Sequence, residues 1–206
     1  MKITLLPGDG IGVEIVDAAV EVLDAAAKKF GFEIEYDKQL IGGCAIDATG
    51  VPLPEATVAS AKAADAVLLG AVGGPKWDNV APDIRPEKGL LGIRKALGLY
   101  CNLRPMTVSR FTAHLSPLKT EDAEGADLLI VRELTGGIYF GEHNEAHINA
   151  DGVEEASDVE LYTRPEVERI AKFAFEAAKK RRGKVTSVDK ANVLGSSRMW
   201  RKIVAE

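Results

Sequence analysis

The sequence contains little cysteine and no long apolar segment. Cys44 and Cys101 are the only cysteines among the 206 residues, and their separation does not match a metal site or a redox pair. Small secreted domains usually depend on several disulfides, so two isolated thiols favour the reducing cytoplasm. No apolar run approaches the roughly 20 residues of a membrane-spanning helix, and the first run ends at Pro7, too early for a signal peptide. We therefore expect a cytoplasmic protein without a membrane partner.

Positive charge is not in excess either. The chain has 26 Lys and Arg against 31 Asp and Glu, a net charge of -5, and no basic cluster is interleaved with aromatic residues. The one basic run, at 179–182, ends a predicted helix, where cations are favoured by the helix dipole. We therefore expect no nucleic-acid partner. With 46% hydrophobic and 28% charged residues, the composition is typical of a globular protein.

The first half alternates strand-like and helix-like segments. Residues 2–6 predict a buried strand, and the glycine-rich turn at 7–12 leads into an amphipathic helix. The predicted apolar face of this helix consists of Ile15, Val16, Ala19, Val20, Leu23, Ala26, Ala27 and Phe30. The next predicted elements are a strand at 32–36, a helix at 54–64, a strand at 66–70 and a loop at 73–86. This order predicts an α/β fold with a mainly parallel sheet and flanking helices.

The second half predicts another α/β domain. After a helix at 87–97, extended segments are predicted at 101–106, 127–131, 138–140, 146–149, 159–162 and 184–188. Helices are predicted from Pro165 and from residue 196. We expect a first domain at 1–99 and a second at 100–206. Both are expected to be incomplete, because the last helix has no terminating glycine or proline and no closing strand follows it.

Two polar patterns are weak indications of a ligand. The glycines between Gly8 and Gly12 lack the spacing of the dinucleotide fingerprint, so a tight turn and an anion-binding loop both remain open. His143 and His147 could share a metal ion on a helix, but the polar sequence around them does not predict one. Neither pattern identifies a site by itself.

The helix at 87–97 carries an unusual stripe. Glu87, Leu90, Leu91 and Arg94 lie at i, i+3, i+4 and i+7, so they share one face. The stripe would suit a substrate with an apolar branch and a carboxylate. Helical spacing alone favours the alternative, in which two core leucines are flanked by solvated charges.

Several other residues lie where active-site groups are common. Arg104 is in one extended segment and Arg132 ends another, where a guanidinium needs an anion, either a ligand or a carboxylate such as Glu133. Tyr139 stands among glycines and is either a proton donor or a packed aromatic residue. Lys190 follows an apolar segment. Such a lysine is a general base when it is desolvated, although an exposed lysine is the ordinary case.

Taken in order, these segments resemble the β-decarboxylating dehydrogenases, and among them the 3-isopropylmalate dehydrogenases more than the isocitrate or tartrate enzymes. The motifs are LPGDGIG at 6–12, GGPKWD at 73–78, RPE at 85–87, LLGIR at 90–94, NLRP at 102–105, VRELTGGIYFG at 131–141 and SVDKANVL at 187–194. Each short motif could occur by chance, but the ordered set spans the chain and is specific. The resemblance implies that family's fold, which is not a Rossmann fold.

The resemblance also implies roles for individual residues. The catalytic pair would be Tyr139 and Lys190. The substrate-binding residues would be Arg94, Arg104 and Arg132 for the malate carboxylates, and Glu87, Leu90 and Leu91 for the isopropyl group. The residues that border the NAD site would be Gly74, Pro75, Lys76, Trp77, Asp78 and Glu87. Isocitrate dehydrogenases carry a small polar residue in the leucine stripe, which favours isopropylmalate as the substrate here.

The implied reaction is the NAD-dependent oxidation and decarboxylation of 3-isopropylmalate in leucine biosynthesis, with Mg²⁺ or Mn²⁺ and by a homodimer. The metal ligands are expected beyond residue 206, so no metal ligand is predicted in this chain, which is expected to be inactive alone. Two alternatives remain open. One is a related enzyme acting on isocitrate, tartrate or another alkylmalate, and the other is a non-catalytic binding or assembly fragment.

Overall fold

The computed structural model describes residues 1–206. The chain divides into two units, Met1–Gly98 and Leu99–Glu206. Each unit contains both helices and strands, so the predicted α/β class is confirmed. None of the helices is both long and apolar enough to span a membrane.

The first unit is built on an open parallel sheet. Its elements are β1 (Lys2–Gly8), α1 (Ile11–Phe30), β2 (Glu35–Lys38), α2 (Gly43–Thr49), α3 (Glu55–Ala63), β3 (Ala66–Ala71) and α4 (Pro86–Ala96). The strand order is β2-β1-β3, and β1 pairs in parallel with both neighbours. Two 3₁₀ turns, Pro75–Trp77 and Pro82–Ile84, lie in the loop before α4. The strands predicted at 2–6 and 66–70 and the helix predicted at 54–64 are confirmed.

The two faces of β1 explain the layers of this unit. Leu5 is buried in one hydrophobic cluster with Val16 of α1, whereas Leu6 is buried in another with Ala61 of α3 and Ile93 of α4. Successive residues of a strand point to opposite faces of a sheet. Helix α1 therefore covers one face and helices α3 and α4 cover the other, as a parallel sheet requires.

Three details of the first unit differ from the prediction. Ile15 and Phe30 are 45% and 71% exposed, so the apolar face of α1 is narrower than its sequence suggests. Strand β2 begins at Glu35 instead of residue 32. Its pairing with β1 begins with the hydrogen bond from the Glu35 N–H to the carbonyl of Met1, the first residue of the chain, so residues 32–34 have no β1 residue to pair with. Helix α2 is absent from the prediction, since it has only seven residues and no side chain that caps it locally.

The second unit contains two antiparallel ribbons and two long helices. Its elements are β4 (Cys101–Thr107), α5 (Thr120–Ala123), β5 (Asp127–Glu133), β6 (His143–Ile148), β7 (Glu154–Asp158), α6 (Arg164–Lys179) and α7 (Gly195–Ala205). Strand β4 pairs with β5, and β6 pairs with β7. Helix α6 contacts β5 and α7 and buries Val167 and Ile170. The helices predicted from Pro165 and residue 196 are confirmed.

Three extended segments predicted in the second unit are wrong. Residues 138–140 overlap a 3₁₀ turn, Gly137–Tyr139, whose first residue has a positive φ of 70°. Residues 159–162 form no strand. The Val159 N–H donates to the Glu142 carbonyl and the Leu161 carbonyl accepts from the Gly137 N–H, while β6 pairs with β7 instead. Residues 184–188 pair with no strand, and Val188 is 85% exposed.

Candidate active site

A cavity of ≈ 360 Å³ lies where the loop after β3 meets the start of α4. Its lining residues are Gly74, Trp77, Asp78, Arg85, Pro86 and Glu87. Four of the six residues expected to border the cofactor therefore share one cavity. The other two, Pro75 and Lys76, are exposed and do not line it.

A buried carboxylate fixes the beginning of this loop. Asp9 is 4% exposed and accepts 2.7 Å hydrogen bonds from the N–H groups of Gly43, Cys44 and Gly73. Its own N–H donates to the Ala71 carbonyl. Two of the three donors, the Gly43 and Cys44 N–H groups, lie in the first turn of α2. Amides in this position have no acceptor within the helix and need one from elsewhere, which Asp9 supplies. The glycine-rich turn thus joins β1 to α2 and to the loop after β3, which favours the tight-turn interpretation.

A second carboxylate, on α2, binds side chains of the same loop. Asp47 accepts hydrogen bonds from Lys76 Nζ at 2.5 Å and from Trp77 Nε1 at 3.2 Å. These bonds, that of Lys76 first, lower the pKa of the Asp47 carboxyl. The Trp77 ring lies directly on Gly43, where any Cβ would collide with it. Helix α2 therefore provides both the surface and the anchor for Trp77.

The stripe on α4 lies outside the core of the first unit. The buried residues of α4 are Pro86, Gly89 and Ile93. Leu90 and Leu91 are half-buried and belong to neither hydrophobic cluster of the unit. Glu87 is exposed and Arg94 is half-buried at the two ends of the stripe. The two leucines are therefore not core residues of this unit.

Arg104 and Arg132 lie on the same face of the β4–β5 ribbon. Arg132 is directly opposite Asn102, and Arg104 is directly opposite Ile130. Residues directly opposite each other on paired strands share a face, and so do residues two apart on one strand. The two arginines are therefore diagonal neighbours, with about 7 to 8 Å between their backbone positions. Arg104 Nε donates a 2.7 Å hydrogen bond to Asn102 Oδ1, which orients its guanidinium along this face.

Glu133, the carboxylate next to Arg132, has a different partner. Its side chain is only 1% exposed and accepts a 2.7 Å hydrogen bond from Arg169 Nη2, as well as one from the Thr135 N–H. Neighbouring strand residues point to opposite faces, which separates Glu133 from Arg132. No carboxylate of the chain forms an ion pair with Arg104 or Arg132. Among the carboxylates of this chain, neither arginine therefore has the structural ion pair of the alternative interpretation.

The two residues of the predicted catalytic pair are both exposed. Tyr139 is 52% exposed, and the Arg132 guanidinium lies 4.9 Å from the centre of its ring. Lys190 precedes α7, and its ammonium has no hydrogen-bond or ion-pair partner in the chain. The neighbouring Asp189 pairs with Arg201 instead. Tyr139 is thus brought next to Arg132, whereas no contact joins Tyr139 to Lys190.

The glycines before Tyr139 accommodate another aromatic residue. A Cβ on Gly137 would collide with the Tyr162 hydroxyl, and one on Gly136 would lie 3.0 Å from the Tyr162 ring. The Tyr162 ring also meets Trp200 edge-on, with 5.4 Å between ring centres, and burial raises its pKa. Tyr162 is therefore the packed aromatic residue of this segment, and Tyr139 stays at the surface.

Metal ligands are not assembled in this chain. No group of three or more His, Cys, Asp and Glu residues is arranged to hold a metal ion. His143 and His147 are exposed on β6, where they pair with Asp158 and Glu155 of β7. The residues present therefore do not fit the divalent cation that the resemblance implies.

The sequence matches one protein family over nearly its whole length. A family profile described as isocitrate/isopropylmalate dehydrogenase matches residues 2–206. The chain belongs to this family. The 3-isopropylmalate dehydrogenase of Bacillus licheniformis is 59% identical over 205 residues, which are 100% of this chain and 55% of that protein. The enzyme of the same name from Bacillus subtilis is 54% identical over 205 residues, with 100% and 56% covered.

Solved structures of the family have the same fold. The isocitrate dehydrogenase of Methylococcus capsulatus matches with a TM-score of 0.78 and 34% identity, covering 99% of this chain and 56% of its own. An apo β-decarboxylating dehydrogenase of Thermococcus kodakarensis matches with a TM-score of 0.70 and 36% identity, covering 99% and 53%. The expected fold is therefore confirmed. The chain spans about half the length of the family members that it matches.

Proposed function

We propose that this chain supplies substrate-binding and dinucleotide-binding residues of a 3-isopropylmalate dehydrogenase. That reaction oxidises 3-isopropylmalate with NAD and releases CO₂, giving 4-methyl-2-oxopentanoate for leucine biosynthesis. The observation that carries the proposal is the pair Arg104 and Arg132, which share one face of a ribbon and have no carboxylate partner in the chain. Membership of the family and the identity of 54% and 59% to two enzymes of this name support it.

The arginines are proposed to bind the malate moiety, and Lys190 and Tyr139 are proposed to transfer protons. A guanidinium binds a carboxylate through two parallel N–H bonds, so Arg104 and Arg132, together with Arg94, are the proposed carboxylate ligands. Lys190 is proposed to assist removal of the C2 hydroxyl proton. Tyr139 is proposed to protonate the enol carbon after CO₂ leaves.

The stripe on α4 supports an apolar substituent at C3. Leu90 and Leu91 are half-buried without being core residues, so they present apolar surface that an isopropyl group would cover. The third carboxylate of isocitrate would lose its hydration against the same surface without gaining a partner. This mismatch favours 3-isopropylmalate over isocitrate.

The cavity at the loop after β3 is the proposed NAD site, with Glu87 at its border. Its volume of ≈ 360 Å³ and its lining by Gly74 and Trp77 fit part of a dinucleotide. When bound there, NAD accepts the hydride from C2 of the substrate. Mg²⁺ or Mn²⁺ is expected to bind through residues that this chain does not contain. We further propose a cytoplasmic homodimer in which the first unit contributes cofactor residues and the substrate-binding residues of α4, and the second contributes the remaining substrate residues and the dimer contacts.

A related β-decarboxylating activity is the second candidate. The match to an isocitrate dehydrogenase, with a TM-score of 0.78, shows that the same fold carries another substrate. A chimera separates the two candidates. It continues residues 1–206 with the remaining part of the Bacillus licheniformis enzyme. We expect NADH formation from 3-isopropylmalate at least tenfold more efficiently than from isocitrate or tartrate, in line with about 1 to 3 kcal/mol of discrimination by an apolar pocket. A preference for isocitrate would contradict the proposal.

A further inference from the structure

Helix α2 holds the loop after β3 through both its side chains and its backbone. The Asp47 carboxylate binds both Lys76 and Trp77, and the Lys76 ammonium lies 5.2 Å from the centre of the Trp77 ring. Gly43 also lies against the ring and leaves no room there for a side chain. The indole thus has three neighbours that confine it, namely the Asp47 acceptor at its N–H, the Lys76 cation near its ring and the backbone of α2.

The indole is also a wall of the cavity. Trp77 lines it together with Gly74, Asp78 and Glu87, whereas Asp47 does not. Any rotation of the indole would change the shape of the cavity. Of the groups that confine the indole, Asp47 and Gly43 lie on α2 and Lys76 lies in the loop, and none of them lines the cavity.

We propose that Asp47 is a positioning residue for dinucleotide binding, which it promotes by holding Lys76 and Trp77 so that the indole keeps the shape of the cavity. This inference rests on the proposed function, because that function makes the cavity a dinucleotide site. Asp47 itself does not line the cavity. Its effect passes through Trp77.

Loss of the Asp47 carboxylate should change the position of the loop without a large loss of stability of the first unit. The side chains of Lys76 and Asp47 are 65% and 42% exposed, and exposed ion pairs of this kind contribute little to folding. Removing the carboxylate should therefore release the indole without unfolding the unit. Asp17 provides a matched control, since it is an exposed helical aspartate of the same unit that pairs only with Lys38.

Trp77 fluorescence tests the inference directly. The chain has two tryptophans, so Trp200→Phe leaves Trp77 as the only one. Acrylamide quenching measures the exposure of the indole, and energy transfer from Trp77 to added NADH measures binding. In Asp47→Ala we expect more efficient quenching and NADH affinity weakened about three- to tenfold, the range for one or two hydrogen bonds. Asp17→Ala should match the parent in both measurements.

A conservative variant, Asp47→Asn, provides a second comparison with the same two measurements. Asp47→Asn keeps an acceptor for the indole N–H but loses the ion pair, so its quenching and NADH affinity should fall between those of the parent and Asp47→Ala. If Asp47→Ala unfolds, the same measurements on Asp47→Asn test the inference. Unchanged quenching in the Asp47 variants overturns the inference, and so does increased quenching with unchanged NADH affinity. A parent chain that does not bind NADH overturns it together with the cofactor assignment of the proposed function.

Discussion

The Arg132 guanidinium lies 4.9 Å from the centre of the Tyr139 ring. This stacking holds a cation that has no carboxylate partner beside the residue proposed as the proton donor. A lysine at position 132 would keep the charge but would lose both the stacking and the paired N–H donors.

In the chimera, Arg132→Lys should lower kcat/KM for 3-isopropylmalate about 10- to 150-fold, because a charged hydrogen bond contributes about 1.5 to 3 kcal/mol. Initial rates of NADH formation measure this. Arg110→Lys is the matched control, since Arg110 also stacks on an aromatic ring, that of Phe111, in the same unit. Equal effects of the two substitutions would contradict a substrate contact at Arg132.

Replacing the α4 leucines should change specificity more than stability. In the chimera, Leu90→Ser with Leu91→Asn should reduce use of 3-isopropylmalate relative to malates with smaller or polar 3-substituents, by about 1 to 3 kcal/mol of transition-state binding. Ile93→Ala, at a core position that is 4% exposed, should instead destabilise the unit by about 2 to 5 kcal/mol. Competition between substrates and thermal unfolding separate the two effects. An unchanged substrate ranking would show that the stripe does not meet the substrate.

The two catalytic roles predict different kinetics in the chimera. Lys190→Met should suppress hydride transfer itself, by about 10²- to 10⁴-fold for a lost general acid or base. Tyr139→Phe should spare hydride transfer and delay protonation of the enol, so that NADH appears before the final product. Single-turnover measurements that follow NADH and product separately check this. If Tyr139→Phe slows NADH formation as severely as Lys190→Met, the proposed division is wrong.

The Glu133–Arg169 pair should stabilise the second unit. Removing one partner of a fully buried pair costs about 3 to 5 kcal/mol. Arg169 is 36% exposed while Glu133 is 1% exposed, so we expect Arg169→Met to cost somewhat less, about 2 to 3 kcal/mol. Denaturant unfolding followed by Trp200 fluorescence measures it. Lys179→Met on the same helix is the control, because it removes an exposed pair with Glu176. If this substitution lowers the free energy of unfolding as much as Arg169→Met does, burial of Glu133 is not the cause of the stabilisation.

Acidification should release Trp77 only at low pH. The hydrogen bonds from Lys76 and Trp77 lower the pKa of Asp47 in the folded chain. The interaction is therefore fully present above the ordinary aspartate pKa of about 3.9 and is lost as the pH falls through the lowered value. In the Trp200→Phe background, Trp77 emission should stay constant down to this range and change below it. The transition should be absent in Asp47→Asn, and a midpoint above the ordinary value would contradict the prediction.

Local patterns in the sequence predict the elements of the first unit well. Strand β1 and helices α3 and α4 follow from apolar periodicity and from prolines near the helix starts, because these signals lie within one element. Strand β7 and the true start of β2 do not follow, since a strand is defined by its partner. The apolar segment at 184–188 shows the opposite case, a strand-like pattern that pairs with nothing in the chain.

The candidate site divides in the same way. Arg104, Arg132 and Tyr139 can be singled out by residue type and by the motifs around them, but their placement around one ribbon face depends on the register of β4 with β5. Asp9 and Asp47 give no local signal of their function, because their partners lie between 29 and 64 positions away. Only the glycines beside Asp9 indicate a tight turn.

The Asp9 carboxylate also has a consequence for folding kinetics. Its three acceptor bonds join residues 34, 35 and 64 positions apart, and loops of such length close late because they cost the most chain entropy. The full set of three bonds thus forms only after β3 has joined β1. Asp9→Asn should leave the rate of folding almost unchanged and accelerate unfolding. A buried turn of this kind controls how long the native state persists, and hence its resistance to proteolysis, more than how quickly that state forms.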